Sequence, residues 1–389
     1  MPHFTQPPPP PTGLGRYRQL APIAGVHVSP IALGGMSIGD KWEKLGMGSM
    51  TKEQSFKLLD AYYEAGGNFI DTANQYQDGT SEEFIGEWME KRGIRDQIFL
   101  ATKYTNNYKM HEGPEFGQQV MYTGNNLKSM YISLEDSLKK LRTTYIDLYY
   151  VHWWDYRTSV EEVMNGLHHL VAERKVLYLG ISDTPAWIVS AANTYAKAHG
   201  KTPFVIYQGA WSVLLRDFER EIIPMALQQG MALAPYNVLA GGHIRTDEEE
   251  ERRRQTGEGG RTLVGMSWER TENEKKVCKV LEEIAKEIGA KHITSVAIAY
   301  IMQKTPYVFP IVGGRKVEHL MSNVEALEIS LTADHIKRIE SITPFELGFP
   351  YNYFGTAFGD YTYLFNCAGH FDKWPAQEAI RPLNGAPKL

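Results

Sequence analysis

The sequence predicts a closed barrel of eight parallel strands wrapped by helices, a (β/α)8 fold. Eight short β-type runs alternate along the chain with longer stretches of helical periodicity. The runs are almost unbroken apolar segments, as in IDLYYV, and a strand covered on both faces needs that composition. The turn after the first run reads LGGMSIGD, without the G-x-G-x-x-G fingerprint of a dinucleotide-binding open sheet, so the doubly wound alternative ranks second.

The elements follow in order. Residues 1–16 form a proline-rich tail, because Pro7 to Pro11 favour an extended polyproline conformation without internal hydrogen bonds. Tyr17 to Val28 reads as a hairpin closing the bottom of the barrel. The barrel unit spans 17–343, with strands at Ile31–Leu33, Asn68–Asp71, Ile98–Thr102, Tyr145–Val151, Val176–Ile181, Phe204–Tyr207, Ala232–Ala234 and Val308–Ile311. Helices are expected at Lys52–Glu64, Ser81–Lys91, Asn126–Leu141, Val160–Glu173, Pro185–Ala198 and Phe218–Gln228. Apolar residues recur in them at three- and four-residue spacing, as in Leu134, Leu138 and Leu141, and mark one buried stripe. Gly241 to Arg270 is an excursion after the seventh strand. Glu248, Glu249 and Glu250 there stand four residues before Arg252, Arg253 and Arg254, which reads as a solvated helix. The following GEGGR does not follow a strand and reads as a linker. Residues 344–389 are rich in Phe, Tyr and Trp and are expected as an extension of the same domain, packed over the active-site face.

Composition narrows the function. Of 389 residues 43% are hydrophobic and 22% charged, which excludes wholesale disorder. Against 46 acidic residues stand 41 Lys and Arg, so the net charge of −5 offers no broad basic surface to nucleic acid. Cys278 and Cys367 lack a CxxC spacing and support neither a disulfide framework nor a metal centre. No apolar run approaches the ~18 residues that cross a bilayer, and the start of the chain lacks the features of a signal peptide. These features point to a cytoplasmic protein without a membrane or nucleic-acid partner. They leave its oligomeric state open.

In such a barrel the chemistry gathers at the C-terminal ends of the strands. Those ends carry Asp71, Tyr76 five residues beyond it, Lys103 and His152. A free phenol has a pKa of about 10 and is a poor acid at neutral pH, but a neighbouring ammonium stabilises the phenolate and lowers it. Asp71 would hold Lys103 charged and in place, and His152 would add a hydrogen-bond partner. Tyr76 would then deliver a proton to a carbonyl oxygen as negative charge develops on it. The set contains no nucleophile and no metal ligands, so the electrons must come from a cofactor. A barrel glycosidase would need two carboxylates flanking a sugar, and Asp71 is already committed to the lysine.

Asp71, Tyr76, Lys103 and His152, with GISD after the fifth strand, PYNVLAGG after the seventh and PIVGGRKVEHLMSN after the eighth, together resemble the aldo-keto reductase superfamily from about Ser29 to Ile342. FIDTANQYQDGTSEEFIGEWM, GISDTPAW, TDEEEERRR and GHFDKWPAQEAIRP are similar to its fungal aryl-alcohol dehydrogenase branch over nearly the whole chain. The resemblance implies NADP as cofactor. Ser182, Asp183 and Gln208 match the positions that hold the nicotinamide carboxamide, and Trp211 the aromatic ring stacked on the nicotinamide. The family usually has Asn and Tyr where this chain has Asp183 and Trp211. Gly34 and Met36 match the turn near the nicotinamide ribose, and Asn237, Leu239 and Gly241 the loop over the pyrophosphate. Gly313, Gly314, Arg315 and Lys316 would face the adenosine 2′-phosphate at a helix N-terminus, with His319 and Asn323 near the adenine.

The rim also carries Trp42, Tyr104 and Trp153, and the C-terminal segment Tyr351, which suit a flat aromatic substrate. The branch resemblance implies aromatic aldehydes and the corresponding alcohols. A second class stays open, an NADPH-binding regulatory subunit with slow turnover, similar to the β subunits of potassium channels.

Overall fold

A computed structural model describes residues 7–257, 267–356 and 359–382 of the chain. A hairpin of β1 (Arg18–Ala21) and β2 (Ala24–Val28) precedes the barrel. The eight barrel strands are β3 (Ala32–Gly34), β4 (Phe69–Asp71), β5 (Phe99–Tyr104), β6 (Ile146–Val151), β7 (Val176–Ser182), β8 (Phe204–Ala210), β9 (Ala232–Tyr236) and β10 (Ile311–Val312). β4 to β9 each pair in parallel with the strand before, β10 pairs in parallel with β3, and a bridge from Leu233 to Val308, just before β10, closes the ring.

Helices α1 (Lys52–Glu64), α2 (Thr80–Arg92), α3 (Leu127–Lys140), α4 (Val160–Ala172), α5 (Ala186–Ala198) and α6 (Ile222–Gln229) lie between the strands. α1 starts where expected because Thr51 and Gln54 form a reciprocal capping box, each side chain binding the other's backbone N–H. α6 starts four residues later than expected. Asp217–Glu219 instead form a 3-10 turn, in which Arg216 pairs with Glu219 at 2.7 Å.

The hairpin plugs the N-terminal end of the barrel, as its sequence suggested. Leu20, Ala21, Ala24 and Val28 pack on Phe69, Phe99 and Phe309 in an apolar cluster. The tail is shorter than expected, because Leu14 is fully buried in the main core and the Thr12 hydroxyl donates to the Ala65 carbonyl. A buried leucine three residues after the proline run anchors the chain before residue 16.

The excursion after β9 also differs from the expected solvated helix. α7 (Asp247–Thr256) does pair Glu249 with Arg253, but Glu250 is buried between Arg245 and Arg270 at 2.8 Å from each. That ion triad ties the two ends of the excursion together. Glu258 to Arg261 of the expected linker lie outside the described residues. α8 (Glu272–Ile288) and α9 (Ile293–Lys304) follow, then α10 (Val317–Val324) after the last strand and α11 (Ala333–Ile342).

The C-terminal segment, expected over the active-site face, makes its described hydrogen bonds elsewhere. Arg220 donates to the Leu347 carbonyl and the Tyr351 hydroxyl binds Glu221, both near the start of α6. Gln377 reaches Tyr307, just before β10, and Arg381 donates to Gln303 near the end of α9. The last two contacts lie at the hairpin end of the barrel. Among the described residues no helix is long and apolar enough to cross a membrane.

Candidate active site

Asp71 ends β4 and Lys103 is the penultimate residue of β5, so the two side chains meet inside the barrel mouth. Lys103 Nζ lies 2.5 Å from Asp71 Oδ1 and 2.8 Å from the Thr72 carbonyl, and the lysine is completely buried. The other carboxylate oxygen accepts from Gln208 Nε2 at 2.9 Å, which links β4 to β8 across the barrel. Both oxygens of Asp71 are therefore engaged.

Tyr76 keeps part of its surface open at the rim. The Lys103 ammonium lies against the face of its ring at 5.1 Å, and the ring is edge-on to His152 at 5.9 Å and to Trp42 at 6.2 Å. The tetrad therefore assembles as the residue types suggested. Three successive left-handed residues, Gln77, Asp78 and Gly79, fold the chain back just after Tyr76. Gln77 accepts from the Lys41 and Trp42 amides and donates to the Met36 carbonyl, while Asp78 accepts from the Trp42 indole. These contacts bind the loop after β3 to the turn that carries the phenol. Sequence reasoning did not single out Gln77 or Asp78, although strain at two non-glycine residues is a mark of functional turns.

The electrostatics correct one expectation. Burial, then Asp71 and Asp183, push the Tyr76 pKa well above its ordinary value instead of below it. The phenol is thus held protonated, the form that a proton donor needs. Burial pushes the Lys103 ammonium downward against the opposing pull of Asp71. Burial and the nearby Lys103 lower the His152 pKa to about 3, so the imidazole is neutral at working pH.

Ser182 ends β7 buried, beside Gln208 in register on β8, and its hydroxyl lies 3.1 Å from Asp183. Asp183, left-handed and exposed at the rim, also accepts from the Tyr236 hydroxyl at 3.1 Å. Gly34 ends β3 beside β10, where a Cβ would come within 3.0 Å of Ile311. Asn237, Ala240 and Gly241 are left-handed in the loop after β9 and Leu239 lies between them. Gly313 and Gly314 follow β10, and Lys316 stands at the N-cap of α10, whose first turn has no side-chain cap. Open backbone N–H groups beside Arg315 and Lys316 suit a phosphate. Arg315 crosses Gly48, where any side chain would collide with its guanidinium. His319 on the exposed side of α10 faces Glu249 and Arg253 of α7, whereas Asn323 is buried. This donor set fits a dinucleotide bearing a 2′-phosphate.

Three aromatic positions differ from expectation. Trp211 is fully buried and stacks on Phe218 at 5.5 Å, so it forms packed wall and not an open stacking platform. Tyr104 is also fully buried, stacked on Tyr149 at 5.3 Å. Strand alternation explains this, because Lys103 points into the barrel and its neighbour must point out toward the helices. Tyr351 is tied to Glu221 and not to the tetrad. Trp42 and Trp153 remain at the rim, the latter 38% exposed.

Residues 30–344 match the aldo/keto reductase family. The chain is 65% identical to an NADP(+) aryl-alcohol dehydrogenase of Phanerodontia chrysosporium over 96% of its length and 98% of that protein. It is 57% identical to a putative aryl-alcohol dehydrogenase of Saccharomyces cerevisiae over 90% of this chain and 92% of the relative. Norsolorinic acid reductase B of Dothistroma septosporum is 50% identical, with 94% of each chain covered.

Proposed function

The chain belongs to the aldo/keto reductase family, and from that premise we propose that it is an NADP-dependent aryl-alcohol dehydrogenase that reduces aromatic aldehydes reversibly. The buried Lys103–Asp71 pair beneath the partly open Tyr76 phenol carries this reading. The nicotinamide, when bound, supplies the hydride to the carbonyl carbon. Tyr76 gives its proton to the carbonyl oxygen as charge develops there, and the alcohol forms. Lys103 lies beneath the phenol ring and stabilises the phenolate left behind, while Asp71 and Thr72 keep the ammonium in place.

Ser182, Asp183 and Gln208 would hold the carboxamide, Gly34 and Met36 the ribose, and Asn237, Leu239 and Gly241 the pyrophosphate. Gly313, Gly314, Arg315 and Lys316 would receive the 2′-phosphate, with His319 and Asn323 at the adenine. Trp42 and Trp153 would flank an aromatic ring. The same reading includes a cytoplasmic location and a barrel, terminal extension included, that works as one domain.

The test mixes purified protein with NADPH and 3,4-dimethoxybenzaldehyde and follows loss of NADPH absorbance. The expected result is steady turnover, with NADH much poorer. Retained NADPH binding without turnover across a panel of aromatic aldehydes would overturn the assignment in favour of a regulatory subunit.

A further inference from the structure

Asn106 lies three residues after Lys103, in the loop beyond β5. Its side-chain amide stands between two residues of the loop beyond β6. The Trp153 indole N–H is 2.6 Å from Asn106 Oδ1, and Asn106 Nδ2 is 2.9 Å from His152 Nδ1. An indole nitrogen can only donate, so it fixes which end of the amide faces Trp153: the oxygen. The amide nitrogen therefore faces His152. That nitrogen too can only donate, so Nδ1 of the imidazole must accept. In a neutral ring the single proton then sits on Nε2.

From this geometry we propose that Asn106, oriented by Trp153, is a positioning residue that fixes His152 as the Nε2–H tautomer and makes it a second hydrogen-bond donor beside Tyr76. The consequence for the reaction rests on the aldehyde-reductase reading. Two neutral donors, the phenol and the imidazole, then converge on one carbonyl oxygen, and neither has to reorganise as charge builds there. With the other tautomer, the imidazole would present a lone pair to an oxygen that is gaining negative charge. Trp153 thereby acquires a role that its place on the rim does not suggest. Its ring is partly exposed, but its N–H is committed to the amide.

The test is the protonation pattern of His152, read from long-range nitrogen–proton correlation spectra of enzyme labelled with nitrogen-15 histidine at neutral pH. The His152 signals are assigned by their loss in His152→Gln. In the wild type, Nε2 carries the proton and Nδ1 is bare. Asn106→Asp, whose carboxylate can only accept, moves the proton to Nδ1, and Asn106→Leu leaves a mixture. Trp153→Phe, the mildest change, frees the amide to turn and also yields a mixture. In Asn106→Asp, kcat for aldehyde reduction falls about 10- to 100-fold, as when the hydrogen-bond partner behind a functional imidazole is lost, while the NADPH Kd is unchanged. A wild-type proton on Nδ1, or an unaltered tautomer in the Asn106 variants, overturns the proposal. If those variants fail to fold, the wild-type and Trp153→Phe spectra decide it by the same criteria. A tautomer that shifts as stated in a protein that reduces no aldehyde supports the positioning role and sinks the functional reading alone.

Discussion

The two ends of the barrel solve burial in opposite ways. At the N-terminal end the hairpin residues Leu20 and Val28 meet Phe69, Phe99 and Phe309, and little but hydrocarbon is removed from water. At the C-terminal end the same strands enclose Lys103 and Asp71, two charges held 2.5 Å apart. Burial at the first end stabilises the fold and touches no group of the tetrad. At the second it raises the Tyr76 pKa and lowers that of His152, and so decides which group donates and which stays neutral. The difference teaches that stability and chemistry can be altered separately in this fold, one from each end.

The strongest way to break that separation is Lys103→Met. Turnover should fall by at least the roughly 10²–10⁴-fold typical of losing general-acid catalysis. The variant should also lose about 3–5 kcal/mol of stability, because Asp71 is left as an unpaired buried charge. Adding Asp71→Asn should recover stability in urea melts but not turnover. Recovered activity in the double variant would contradict the role given to the cation.

At the plug the expected pattern reverses. Leu20→Ala should cost about 2–5 kcal/mol by the loss of a fully buried side chain, measured by denaturant unfolding, with kcat per folded molecule unchanged. A large drop in kcat would show that the two ends are coupled.

How far the sequence reveals each end follows from the same contrast. All eight strands were legible because both of their faces are covered, which leaves apolar runs. The strand over Phe204–Tyr207 was read three residues short, since Gln208, Gly209 and Ala210 continue it with polar and small residues at the mouth. The tetrad could be picked out by counting polar residues at strand ends. Asn106 could not, because its partners are 46 and 47 residues away and only the folded loops bring them together. Tyr104 differs from its expected place at the rim because strand alternation turns it away from the mouth that Lys103 faces. Tyr351 sits in an irregular segment whose path carries no periodicity to read.

Two smaller effects sharpen the picture of the mouth. Replacing Arg315 and Lys316 together by alanine should weaken NADPH binding by about tenfold or more while leaving NADH nearly unchanged, since only NADPH carries the 2′-phosphate. Fluorescence titration of both cofactors checks this, and equal weakening would remove the loop after β10 from cofactor choice.

The pH dependence should be the mildest effect in the neutral range. With its pKa raised, Tyr76 stays protonated there, so reduction should be flat from mildly acidic to neutral pH and fall only in the alkaline range. Oxidation needs the phenolate, so its rate should rise toward alkaline pH. His152, with a pKa of about 3, should add no inflection near the ~6.5 of free histidine. Initial rates at saturating substrate in both directions test this, and a histidine-like limb near neutrality would contradict a neutral imidazole.

The central claim is that the Tyr76 phenol supplies the proton, and Tyr76→Phe tests it most directly. The measurement is single-turnover reduction of 3,4-dimethoxybenzaldehyde by enzyme preloaded with NADPH, alongside the NADPH dissociation constant. The account predicts near-wild-type binding, a rate lower by roughly 10²–10⁴-fold, and loss of the alkaline rise in alcohol oxidation. A rate within a few-fold of wild type, with the alkaline rise intact, would contradict it and assign the proton to His152 or a water molecule.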